Sequence, residues 1–449
     1  MWSTIKEKLR TLKPARLIVM YYFIAITLSF ILLRLPGVHI DGQYINLIDS
    51  LFTAVSAVSV TGLTVINVSE TYTTFGIVMM MLILQLGGIG IMSLGTFIWL
   101  LVGKRIGLRE RQLIMTDHNQ YNLSGVVKLI IEIIKILLLI EAVGALLLAV
   151  YFTQFYETWG EALLHGVFAS VSATTNGGFD ITGQSLLPYA NDYFVQTVNI
   201  FLIVLGAIGF PVLIELKQFL SNKNGAFRFS LFTKITTIMY GILLALGTLL
   251  IFIVEFNKRF EGMSWHEAFF YSLFQSTSTR SGGLVTIDVS TFTEPTQLVL
   301  SILMFIGASP SSVGGGIRTT TLAIAMLFLI NFSRGRHQIQ VFGREIHLID
   351  VYRSYAVIIL AIMMSMLSIM MIMVLESHSL IAVIFEVTSA FGTSGMSMGI
   401  TPDLSTPSKL IIMMLMFIGR VGLISFLFMI GGNNQKAKYH YPKERVIIG

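Results

Sequence analysis

The chain has 449 residues, 54% of them hydrophobic and 12% charged, with a net charge of +6 and no cysteine. A soluble domain carries roughly 25% charged residues, so a string of soluble domains is excluded. The missing cysteines exclude disulfides, thiolate metal sites and cysteine nucleophiles.

From the N-terminus, Lys6, Lys8, Arg10, Lys13 and Arg16 precede an apolar run. No small-residue cleavage site follows it, so the pattern predicts an uncleaved first span rather than a signal peptide. Long apolar blocks then occur at about 17–35, 126–153, 232–256 and 351–376. Each is followed by a Ser/Thr/Gly-rich stretch and then by a second apolar block, at about 73–101, 193–220, 296–331 and 407–431. Apolar blocks near 20 residues can cross a bilayer core of about 30 Å; the shorter stretches cannot, and they read as re-entrant segments.

The short stretches are copies of one another: FTAVSAVSVTGL at 52–63, FASVSATTNGGF at 168–179, LFQSTSTRSGGL at 273–284 and FEVTSAFGTSGM at 385–396. They share Gly62, Gly178, Gly283 and Gly395, at intervals of 116, 105 and 112 residues. A second set, Gly87, Gly206, Gly307 and Gly419, follows 25, 28, 24 and 24 residues later, inside LGGIG, LGAIG, IGASP and IGRVG. Small residues recur in membrane helices for packing, but packing alone does not impose two registers in step. The predicted fold is all-α and integral to the membrane. It has four tandem helix–pore loop–helix repeats, hence eight spans and four re-entrant loops, with pseudo-fourfold symmetry about one pore. The repeats cover 17–103, 126–220, 232–331 and 351–431, between an N-terminal segment, 1–16, and a tail, 432–449.

Eight spans put both termini on one side. The loops and tails on that side hold 22 of the 30 Lys and Arg residues. The positive-inside rule makes that side cytoplasmic. The basic excess is therefore a topology signal and not a nucleic-acid footprint.

Irregular backbone at membrane depth must be buried in protein or line water. Four equivalent loops around one axis meet this condition, and their carbonyls can replace a cation's hydration shell. Glycine permits the dihedral angles this needs. The candidate filter residues are Val60, Thr61 and Gly62; Asn176, Gly177 and Gly178; Ser281, Gly282 and Gly283; and Thr393, Ser394 and Gly395. No carboxylate stands at these glycines or beside them, so a carbonyl ring for a monovalent cation is favoured over a carboxylate ring for a divalent one. In the third repeat, residues 307–321 contain Pro310 and Gly314, Gly315 and Gly316. They predict a flexible intramembrane loop. Arg420 occupies the place held elsewhere by Gly88, Ala207 and Ala308. A buried arginine needs partners, and the register puts Arg420 beside this loop. Arg318 is a second gate candidate.

With these residues in place the chain resembles the Trk/Ktr/HKT superfamily of potassium transporters over nearly its whole length, and within it the bacterial Ktr membrane subunit (KtrB/KtrD type). The four filter glycines, IGASPSSVGGGIRTTT at 306–321, FIGRVG at 417–422 and the C-terminal segment from Tyr441 carry the likeness. It implies potassium as the transported ion through a channel-like gated pore in the bacterial cell membrane. It also implies a gate loop below the filter, sodium as a modulator, a homodimer and a cytosolic RCK-type ring (KtrA/KtrC type) that binds the nucleotide. No cofactor is expected on this chain.

No phosphate-binding GxxxxGK[ST] motif and no HExxH occurs, and an enzyme is not expected. Lys135 is expected to pair with Glu132 at i, i+3. The alternative to a channel-like pore is a coupled secondary transporter built on broken helices, but such folds show paired or inverted repeats.

Overall fold

The computed structural model describes residues 14–101, 106–108, 111–112, 115, 125–222, 227–336, 338–430, 442 and 444. Most of the predicted tail 432–449 and most of 1–16 lie outside the described residues, as do several of the basic loop positions.

The described chain is helical in four successive groups. The first holds α1 (Pro14–Leu32), α2 (Leu47–Ser59), α3 (Val68–Thr71), α4 (Thr74–Ile89) and α5 (Ile91–Leu101). The second holds α6 (Val126–Phe152), α7 (Trp159–Thr174), α8 (Tyr193–Ala207) and α9 (Phe210–Ser221). The third holds α10 (Leu231–Glu255), α11 (Trp265–Ser278), α12 (Glu294–Phe305) and α13 (Thr319–Ser333). The fourth holds α14 (Leu348–Leu375), α15 (Leu380–Gly392), α16 (Thr406–Val421) and α17 (Leu423–Ile430). The chain is an all-α membrane protein. Its few strand residues among those described are β1 (Gln340–Val341) and β2 (Arg344–Glu345), an antiparallel pair. Phe342 and Gly343 turn between them at φ of 52° and 72°, as a two-residue hairpin requires.

By length and apolarity α6, α10 and α14 can each cross a bilayer, and α8 with α9 would make a fourth span if taken together. The second block of each group was expected to run as one helix everywhere except in the third. Instead all four are broken. Gly90, Gly209 and Gly422 hold nearly the same conformation, with φ of 91°, 106° and 89° and ψ of 134°, 132° and 136°. This is backbone that a side chain opposes. At α8/α9 the bend reaches 105°. The breaking residue is the last glycine of LGGIG, LGAIG and IGRVG; at IGASP the helix has already ended at Phe305, and the chain stays irregular from Ile306 to Arg318.

The short helices α2, α7, α11 and α15 are 13 to 16 residues long, at most about 24 Å at 1.5 Å per residue. Hydroxyl side chains start three of them. Thr158 accepts from Glu161 N at 3.2 Å, Ser379 accepts from Ala382 N at 3.4 Å, and Ser264 forms a reciprocal capping box with Glu267. Each supplies an orphan amide with a partner.

Packing joins the groups in chain order. The first helix of the second apolar block in each group lies on the short helix of the next: α4 on α7, α8 on α11 and α12 on α15. The last returns to the first, α16 on α2, and a mostly buried ion pair, Lys409 Nζ to Asp49 Oδ1 at 2.9 Å, fastens that closure. The faces turned away carry Phe23, Leu139, Ile253, Met363 and other exposed apolar side chains, as a lipid-facing surface requires. Glu132 pairs with Lys217 at 2.5 Å and not with Lys135. The partner comes from a neighbouring helix that the i, i+3 rule does not see.

Two carboxylates brace the helix entrances. Glu255, fully buried, accepts from the backbone and hydroxyl of Thr293 at 3.0 and 2.6 Å, and Glu376 does the same for Ser405 at 2.9 and 2.6 Å. Removing an acceptor from a buried donor costs about 1–3 kcal/mol. Glu255→Ala should therefore lower the thermal midpoint in detergent by several degrees, and Glu255→Gln by less. An unchanged midpoint in Glu255→Ala would contradict this role for the carboxylate.

Candidate functional site

The four short helices end at the four glycine loops. Val60, Asn176, Ser281 and Thr393, each two residues before its glycine, adopt φ of 55°, 53°, 67° and 48°. The glycines follow at 91°, 68°, 71° and 88°. Left-handed backbone at a β-branched residue such as Val60 or Thr393 is a true outlier, costing of order 1–3 kcal/mol. The helix ends impose it. Val60 N bonds Ala57 O and Thr61 N bonds Ser56 O at 3.2 and 2.9 Å, the paired closure of a Schellman motif. Asn176 with Gly177, and Thr393 with Ser394, close in the same way. The third loop is registered differently: Gly282 N reaches Ser278 O, one residue closer, at 2.7 Å.

A hydroxyl column lies behind the loops. Ser56 accepts from Gly62 N at 3.2 Å and Ser389 from Gly395 N at 3.1 Å; Ser172 donates to Phe179 O at 2.6 Å. These serines sit six residues before their glycine in the aligned motif. The repeat therefore contained this signal, but the sequence reading did not single it out.

The four glycines meet in a ring. A Cβ placed on Gly62 would lie 2.8 Å from Gly178 Cα, on Gly178 3.0 Å from Gly283 Cα, on Gly283 3.5 Å from Gly395 Cα, and on Gly395 3.0 Å from Gly62 Cα. Ser281 Oγ donates to Gly392 O at 3.0 Å across the third and fourth loops. All twelve expected filter residues stand in these loops, and all but the partly exposed Gly178 are buried.

Residues 306–318 lie against the ring on the side of the helix ends. Added side-chain carbon at Gly314 would meet Ser281 Oγ at 2.5 Å, and at Gly315 Thr393 Oγ1 at 2.6 Å; Gly316 lies 3.1 Å from Gly392 Cα on the same measure. The loop is also tied to the break in the second group. Ser309 N bonds Ala207 O at 3.1 Å and Phe210 N bonds Ser311 O at 2.8 Å. Arg420, buried, donates from Nη1 to Val313 O and from Nη2 to Gly87 O, with Gly88 O at 3.4 Å. One guanidinium thus joins the fourth group, the loop and the first group. Arg318 donates to Gly314 O and, at 3.4 Å, to Ser309 O.

Beneath the loop is a cavity of about 90 Å³, lined by Gly90, Phe210, Gly316, Arg318, Arg420 and Gly422 among others. Helices α5, α9, α13 and α17 all begin at its wall. Helix N-termini carry partial positive charge, so these four and the two arginines place positive charge at its wall. No cluster of His, Asp and Glu fit for a resident metal occurs among the described residues.

Sequence reasoning missed two charged groups. Arg280, next to Ser281, is fully buried. Glu386, also buried, accepts from Ser397 Oγ, Met398 N and Thr401 Oγ1 at 2.5, 3.0 and 2.8 Å, and so holds the segment that follows the fourth loop. The aligned motif displays both residues, each without a counterpart in the other three copies.

A family model described as TrkH, cation transport protein, matches residues 3–435. Ktr system potassium uptake protein D of Bacillus subtilis is 54% identical over 441 residues, covering 98% of each chain. Ktr system potassium uptake protein B of the same organism is 33% identical, with 97% of each chain covered. The potassium/sodium uptake protein NtpJ of Enterococcus hirae is also 33% identical, over the full length of both. The solved structure of the potassium transporter TrkH from Vibrio parahaemolyticus superposes with a TM-score of 0.73 at 17% identity, covering 94% of this chain and 86% of that one, a likeness of fold. These relatives are transporters, and the chain is not an enzyme. It belongs to the TrkH family of cation transport proteins, together with the Ktr system potassium uptake proteins.

Proposed function

We propose that the chain is the ion-translocating subunit of a Ktr-type potassium uptake system, conducting through a gated, channel-like pore. The observation that carries this is the closed ring of four left-handed glycines under which a glycine-rich loop is bound. The four groups act as pseudo-fourfold repeats around that ring. Each contributes two spans, one of them broken, and the termini are cytoplasmic by the distribution of basic residues. Carbonyls of the residue triplets ending at Gly62, Gly178, Gly283 and Gly395 take the place of potassium's water. The loop, with Gly314, Gly315 and Gly316, closes the path below, and Arg318 and Arg420 hold it there by its own carbonyls.

The names of the close relatives support potassium as the substrate, and that of NtpJ supports a part for sodium. Regulation is assigned to a cytosolic RCK-type, nucleotide-binding ring beneath a homodimer. A coupled transporter of another solute is the alternative. The ring of four equivalent loops favours the pore.

Expression in a host lacking potassium uptake should restore growth at low external potassium and give saturable rubidium uptake. Sodium should modulate the rate without being required in fixed ratio. Failure to restore growth, with the protein in the membrane and its regulatory ring co-expressed, would sink the proposal.

A further inference from the structure

Arg280 is among the largest fully buried side chains described, and the pore as assigned above gives it no part. Its Nη1 donates to Ile306 O, the residue that ends α12 and begins the gate loop. Its Nε and Nη2 have no hydrogen-bond partner, and no carboxylate pairs with it among the described residues. The hydroxyls of Thr236 and Tyr240, one turn apart on α10, are likewise buried without partners. A buried, unpaired charge is strongly unfavourable, and an ionisable group at membrane depth points to function.

The equivalent positions in the other loops are Ser59, Thr175 and Gly392. Ser59 and Thr175 turn back on their own helices, to Val55 O at 2.6 Å and Val171 O at 2.7 Å. Gly392 has no side chain. Only the third loop extends a side chain from this position to the gate loop, and it is the loop whose turn register differs. At its other edge the gate loop touches the same filter through Gly314 against Ser281. The third filter thus meets the gate loop at two points, at Ile306 through Arg280 and at Gly314 against Ser281.

We infer that Arg280 is a positioning residue that ties the third filter loop to the origin of the gate loop, so that displacement of the gate loop changes the shape of the filter. This rests on the filter and gate assigned under the proposed function. It makes selectivity depend on the state of the gate. A purely structural arginine would stabilise the fold without that dependence.

The test uses the complete transport system in a host lacking potassium uptake. Sodium and rubidium uptake are measured for wild type, Arg280→Gln and Arg280→Lys, each with and without residues 314–316. Arg280→Gln should raise the sodium-to-rubidium uptake ratio by about 2- to 30-fold, the range for residues that couple two sites. Arg280→Lys, which keeps the charge but not the planar fork, should fall between. In the loop-deleted background Arg280→Gln should change the ratio by less than about twofold, because coupled sites are non-additive. An unchanged ratio in the intact background, or the same rise in both backgrounds, would overturn the inference. If Arg280→Gln does not reach the membrane, Arg280→Lys carries the same comparison. A wild type without rubidium uptake would overturn the proposed pore itself, an outcome separate from these.

Discussion

Gly62→Ser should reduce discrimination of potassium over sodium by about 5- to 150-fold, corresponding to about 1–3 kcal/mol of backbone strain released into the filter. A Cβ at this position would stand 2.8 Å from both Gly177 O and Gly178 Cα. Both are backbone atoms, so no side-chain rotation relieves the clash. The φ of +91° adds its own penalty for any L side chain. The first loop must therefore move, and it can only do so at the expense of its neighbours in the ring. The change acts on the arrangement of carbonyls and leaves the surrounding helices intact, so total monovalent cation flux should persist while its selectivity falls. Gly241→Ser is the control: this glycine lies within α10 and has no atom within reach of a Cβ. The measurement is competitive rubidium and sodium uptake at matched surface expression. Equal discrimination in Gly62→Ser and wild type would rule out Gly62 as a filter residue.

Deleting residues 314–316 should raise resting rubidium flux by about tenfold and, with the proposed regulatory ring present, make it insensitive to nucleotide. The triplet holds the contacts with Ser281 and Thr393, and its removal also shifts Val313, the acceptor for Arg420. Two barriers fall together, the loop itself and the arginine held against it. A full charge at roughly 10 Å in an effective dielectric of about 20 costs a cation about 1.7 kcal/mol. The expected rise is of that order. Arg420→Gln should give a rise of comparable size, since it removes that charge although the loop stays bound to Ala207 and Phe210. Resting flux that does not change in the deletion would remove the gate assignment.

The four triplets proposed as the filter were legible because each lies within one copy of a local pattern. A short apolar helix, a hydroxyl six residues before a glycine and an unpaired turn are all encoded within about a dozen residues. The third copy's loop was legible because three consecutive glycines and a proline cannot continue a helix. The glycines that break the other second helices were visible in LGGIG, LGAIG and IGRVG, but a single glycine in an apolar helix is usually tolerated. In the folded chain they are breaks because each takes a φ near +90° or above, which a helix cannot contain.

The sequence by itself determined the repeat, the apolar blocks, the short helices and the places where irregular backbone enters the membrane. These follow from local composition and spacing. Only the tertiary structure decided which groups meet. Lys409 finds Asp49 across 360 positions, Glu132 takes Lys217 in place of Lys135, and Arg420 reaches carbonyls of two other groups. Within the third group, Arg280 is buried against Ile306, 26 positions further on. A charged residue in a motif carries no mark of whether it will face water or protein. The ring has to close before its surroundings exist.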